Sequence, residues 1–89
     1  MGLETVELLM DLEDYFHIRV PDEAASNALT VADLQAVIVG LLVQKGRTNS
    51  EETRREVWDG MMHVLEQEGY DVKQIRPDSK WIGDITQYG

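Results

Sequence analysis

Carboxylates dominate the chemistry this chain can offer. Of its 89 residues, 17 are Asp or Glu against 8 Lys and Arg, a formal net charge of −9. Near the start, Glu4, Glu7, Asp11 and Asp14 recur at spacings of three, four and three, which on an α-helix places them along one narrow face. Aligned carboxylates attract cations and basic protein surfaces, although such a stripe alone is an ordinary solvated ridge. No two of them stand apart as an acid/base couple. His17 follows Glu13 by four residues and Asp14 by three, and His63 precedes Glu66 by three. Two lone histidines in separate helices make a weak metal site, so no metal is expected. Ser50 reads as a helix cap, Ser79 as a turn cap, and Ser26 lies in a short helical segment. With no cysteine there is no disulfide, thiolate ligand or cysteine nucleophile, which suits the cytosol. A glycine-rich phosphate loop is also absent.

The elements that must hold these residues are helical. Between Leu3 and Phe16, Leu8, Leu12 and Tyr15 flank the acidic ridge on one side, Leu3 and Met10 on the other, and Val6, Leu9 and Phe16 lie opposite it, a wide apolar arc from which Glu13 projects. Pro21 ends that element by forcing Val20 out of helical geometry, and Asp22 is placed to cap a short helix reaching Asn27. Thr30, with Asp33 three residues on, opens a helix whose Val31, Leu34, Val37, Ile38, Leu41 and Leu42 predict the most buried element. Gly40 inside it reads as a point of close helix packing, and Lys45-Gly46 as its end. Ser50 starts a third long helix with Val57, Trp58, Met61, Val64 and Leu65 inward and Gly69 as its stop. Tyr70 to Gly89 reads as loop, anchored by Val72, Ile75, Trp81 and Ile85.

These bounds support one domain over residues 1–89. The negative charge argues against a nucleic-acid partner, whose phosphates demand Lys and Arg. The acidic start is no signal peptide, and Val6 breaks a myristoylation motif. The longest apolar run, Ala36 to Val43, is too short to span a bilayer, so no membrane partner is expected.

The run Leu3-Glu4-Thr5-Val6-Glu7-Leu8-Leu9-Met10, then Leu12-Glu13-Asp14, Phe16, and Ile18-Arg19-Val20-Pro21-Asp22-Glu23, closely resembles the second helix of acyl carrier proteins and the loop leaving it. In that family a D-S-L motif precedes a (D/E)-T-V-E-L-type helix, and an I-x-I-P-D-like loop follows it. A second resemblance lies at the other end. Gly69-Tyr70, Ile75, Ser79 and Trp81-Ile82-Gly83-Asp84-Ile85 are similar, without a gap, to the end of the family's first helix and its long loop. What should precede the first fifty residues therefore follows them. The chain resembles a circularly permuted acyl carrier protein: residues 1–45 correspond to family helices two to four, 46–49 to a linker, and 50–89 to helix one with its loop.

The resemblance implies an all-α fold, a small four-helix bundle with permuted helix order. The family's phosphopantetheine serine aligns with Gly2, after Met1, and counting five onward from Asp84 reaches Gly89, so neither end of the cut offers a hydroxyl. Phosphopantetheine is accordingly expected to be absent. By family position, Leu12, Val20, Ala25 and Trp81 surround the cavity that shelters an acyl chain, with Trp81 partly filling it. The expected role is a noncatalytic, cytoplasmic interaction module. It docks the Glu4/Glu7/Asp11/Asp14 ridge onto a basic surface of an acyl- or peptidyl-transfer enzyme. A genuine carrier using another or a swapped serine, and a structural or oligomerising module, are the alternatives. A closed monomer is favoured over a domain-swapped dimer because the short linker suits antiparallel neighbours.

Overall fold

A computed structural model describes residues 3–81, with side chains from Val6 onward. The chain forms helices α1 (Leu3–Phe16), α2 (Asp22–Asn27), α3 (Val31–Gln44) and α4 (Glu51–Gln67), followed by a 3₁₀ turn over Val72–Gln74. No strand occurs among the described residues; one isolated bridge joins Thr30 to Lys80. The expected all-α, four-helix arrangement is what the described residues adopt.

Local signals set where the long helices begin. Thr30 closes a capping box: its Oγ1 accepts the Asp33 N–H at 3.1 Å, and Asp33 Oδ2 accepts the Thr30 N–H at 3.2 Å. Ser50 Oγ accepts the Thr53 N–H at 3.2 Å. Asp22, by contrast, is not a cap. Extended Pro21 occupies that position without a side-chain bond, and Asp22 is the first helical residue.

The three long helices share one ending. The Ile18 N–H reaches Glu13 O, the Arg47 N–H reaches Leu42 O and the Tyr70 N–H reaches Leu65 O, each at 3.0–3.1 Å. These are the long bonds of a Schellman turn, which needs a left-handed residue one position earlier. Gly46 and Gly69 supply it at φ 108° and 99°, but α1 uses His17 at φ 56°. Its carbonyl is held by Lys45 Nζ, which ties the end of α1 to the end of α3.

α4 packs against both α1 and α3, and α2 lies on α3. A radius of gyration of 12.1 Å matches a compact chain of this length. The core gathers Leu8 and Leu12 from α1, Leu34 and Ile38 from α3, Val57, Met61, Val64 and Leu65 from α4, and Trp81. Only Asp33, Ala36, Gly40 and Gln44 of α3 are exposed, so it is as enclosed as its pattern predicts.

Gly40 is where the sequence reading fails. A Cβ there would meet nothing within 4 Å. The close approach is at Gly60 of α4, where a Cβ would lie 2.6 Å from Phe16 Cζ and 2.7 Å from Tyr15 Cε2. Tyr15 and Phe16 stack edge to face at 5.0 Å on that bare patch of helix.

The segment after α4 is more ordered than a loop reading implies. Ser79 accepts the Arg76 N–H at 2.9 Å, closing a turn. The carbonyls of Ser79 and Pro77 then accept the Val31 and Ala32 N–H groups, both at 2.8 Å. Two of the unpaired donors at the start of α3 are satisfied by this strap. It delivers Trp81, 1% exposed, whose Nε1–H donates to Ala28 O at 2.6 Å. The expected anchor Ile85 lies outside the described residues, as do Gly2 and Gly89.

Candidate functional site

Of the four ridge carboxylates, Glu7 and Asp14 are exposed and Asp11 is half-buried, while the Glu4 side chain lies outside the described residues. Asp11 and Asp14 border a shallow cleft of about 320 Å³ whose far side, on α4, includes Val64, Gln67 and Glu68. The Glu68 carboxyl is pushed above the usual carboxylate range. The main cause is a hydrogen bond shared with the Asp11 side chain, followed by burial and the negative charges of Asp11 and Glu7. The acidic face is therefore wider than the ridge, crossing from α1 to the C-terminal end of α4. Sequence reasoning missed Glu68 because no local spacing relates it to Asp11; only the packing of α1 on α4 does.

On its other flank α1 borders an apolar groove of about 690 Å³ shared with α2 and the connection between them. Val6, Leu9 and Met10 form one wall, Val20 and Ala25 the floor, and Glu13, Arg19 and Ser26 polar parts of the lining. Val6 and Met10 are 41% and 56% exposed, a high value for side chains without a polar atom to solvate. Glu13, which projects from the apolar side of α1, accepts the Val20 N–H at 2.6 Å through Oε2. That charge-assisted bond fixes the turn forming the groove's end.

The resemblance places Leu12, Val20, Ala25 and Trp81 around one cavity, and the structure divides them. Val20 and Ala25 line the groove, whereas Leu12 and Trp81 are not among its lining residues. Each is 1% exposed in the close-packed core, Leu12 on the inward face of α1 and Trp81 held by its bond to Ala28.

The histidines come closer than their sequence positions suggest. Both His17 and His63 border a cleft of about 610 Å³ between the end of α1 and α4, and His63 lies 5.6 Å from the Tyr15 ring. Among the described residues, no three His, Asp or Glu side chains are grouped so as to hold a metal. Of the serines, Ser50 and Ser79 make the local caps their positions predict, and Ser26 is exposed at the groove. No helix of the described residues is long and apolar enough to cross a membrane.

No protein-family model matches the chain, and no solved structure matches it. An acyl carrier protein from Prochlorococcus marinus (strain MIT 9515) is 58% identical over 32 residues, which cover 36% of this chain and 40% of that protein. The chain thus matches less than half the length of that curated relative. Over that stretch it is acyl-carrier-like.

Proposed function

We propose that the protein is a noncatalytic, acyl-carrier-like interaction module. Its acidic face docks on a basic surface of an enzyme of acyl or peptidyl transfer, and the groove between α1 and α2 takes up an apolar chain. The observation that carries this reading is the make-up of α1. One flank bears the exposed carboxylates Glu7 and Asp14, and the other opens onto the groove through exposed Val6 and Met10. Charge complementarity sets encounter rate and specificity, while apolar burial supplies affinity. The similarity to an acyl carrier protein supports the class of partner.

Within this reading the chain is a circularly permuted carrier domain, with residues 1–45 standing for family helices two to four and 50–89 for helix one and its loop. The position of the phosphopantetheine serine falls on glycine, Gly2 by one count and Gly89 by the other, so docking persists without loading. The packing of α4 on both α1 and α3 supports a closed single-chain bundle, and the cysteine-free sequence a cytoplasmic setting. The alternative, a genuine carrier, has one residue in its favour: Ser26 brings an exposed hydroxyl to the groove.

A broad phosphopantetheinyl transferase serves as the docking probe, since it must recognise carrier domains from their surface. Binding is expected at low salt and should fall at least tenfold in the Glu7→Lys/Asp14→Lys variant, with circular dichroism unchanged. Equal binding by the variant would reduce the acidic face to a solvated surface.

A further inference from the structure

We propose that the cleft between the end of α1 and the end of α3 binds a phosphate monoester carrying a small apolar group, an activity independent of the docking described above. The cleft holds about 540 Å³ and is lined by His17, Ile18, Arg19, Leu41, Gln44 and Lys45. The chain has 17 Asp and Glu, yet no described carboxylate lines this space. Two cations, an imidazole and an amide surround the apolar surfaces of Ile18 and Leu41 instead. The local charge is thus opposite to that of the molecule, which is −9.

The walls are set by the backbone. The bond from the Ile18 N–H to Glu13 O and the left-handed His17 shape one wall. The bond from the Arg47 N–H to Leu42 O shapes the other, and Lys45 Nζ on His17 O joins the two. Countering the negative ends of both helices explains Lys45. It does not explain Arg19, which is exposed beyond the end of α1 and pairs with no carboxylate among the described residues. Nearby carboxylates are engaged elsewhere: Glu13 accepts the Val20 N–H, and Glu56 pairs with Arg47. Asp14 and Asp59 line clefts on the α4 side. Glu7 lies about 14 Å of helix before Phe16, beyond the screening distance of about 8 Å at physiological salt. A phosphate monoester fits because its two charges balance two cations, the planar fork of Arg19 and the point charge of Lys45. Its apolar group lies against Ile18 and Leu41.

The test is titration of the full chain with phenyl phosphate, above the monoester's second pKa of about 6, followed by amide NMR shifts. Saturable shifts are expected at residues 17–19 and 41–45. Affinity should exceed that of inorganic phosphate and of benzyl alcohol by about fivefold or more, since each offers only half of the contact. Arg19 also borders the groove, so the deciding variant is at Gln44, which does not. Gln44→Glu puts a carboxylate in the cleft at an exposed position and should weaken binding by about fivefold or more. Gln74→Glu adds the same charge outside the cleft and should bind like the unaltered protein. Arg19→Gln should weaken binding by about tenfold. Equal binding by Gln44→Glu and the unaltered protein, shifts centred elsewhere, or no saturable shift in folded protein would overturn the site. Equal affinity for inorganic phosphate would overturn the apolar contact, and equal affinity for benzoate the choice of a phosphate.

Discussion

Two glycines show how much of this protein is decided by what faces a residue. Gly40 lies on the exposed side of α3 with nothing near it, whereas Gly60 lies under the rings of Tyr15 and Phe16. Alanine should act in opposite directions at the two positions. Gly40→Ala is expected to stabilise by about 0.4–1 kcal/mol, because it restricts the unfolded chain and favours the helix. Gly60→Ala is expected to destabilise by about 1–3 kcal/mol, since the rings must move from α4. Urea denaturation of the two variants checks both signs. The glycines look alike in sequence, each inside an apolar helical pattern, and only tertiary contact separates them. For the same reason the Asp11–Glu68 contact was not legible, while Thr30, Ser50 and Ser79, whose partners lie three residues away, were.

At the scale of elements, the strap from Ile75 to Trp81 holds the α2–α3 junction and fills the core beside it. Trp81→Phe keeps most of the apolar volume but leaves Ala28 O without its indole donor. A loss of about 1–3 kcal/mol is expected, the range for a buried acceptor deprived of its partner. Thr30→Ala removes the cap at the other side of that junction and should cost about 1 kcal/mol. Both are read in denaturant titrations followed by circular dichroism. The helices themselves were legible from apolar spacing and caps. The strap was not, because its bonds run from backbone carbonyls to the start of α3 and leave no mark in side-chain pattern. Of the residues the resemblance places around one cavity, Val20 and Ala25 line the groove between α1 and α2, while Leu12 and Trp81 are buried in the core.

Over the whole molecule, the net charge of −9 gives the fold a pH dependence with two opposing local parts. Glu68 has its pKa raised by Asp11 and its surroundings, so its charged form opposes folding. As pH falls from neutrality through that raised value, protonation relieves the contact and stability rises. Glu68→Gln should therefore be more stable at pH 7, by about a few tenths of a kcal/mol at this solvent-screened position, and show a smaller rise on acidification. Asp33 behaves in the reverse sense. The Thr30 and Leu29 N–H groups, in that order, lower its pKa, so its contribution is full above the ordinary value of 3.8 and is lost as pH falls through the lower folded value. Asp33→Asn should flatten that acid limb. Thermal melts from pH 7 to pH 2 separate the two.

The central claim, an acyl-carrier-like surface without carrier loading, is tested most directly by intact mass after incubation with coenzyme A and a broad phosphopantetheinyl transferase. The account predicts an unchanged mass, since glycine stands at both positions where the family's serine is counted. A gain of one phosphopantetheine would contradict it, and fragment masses would then show whether Ser26 or another hydroxyl carries the group.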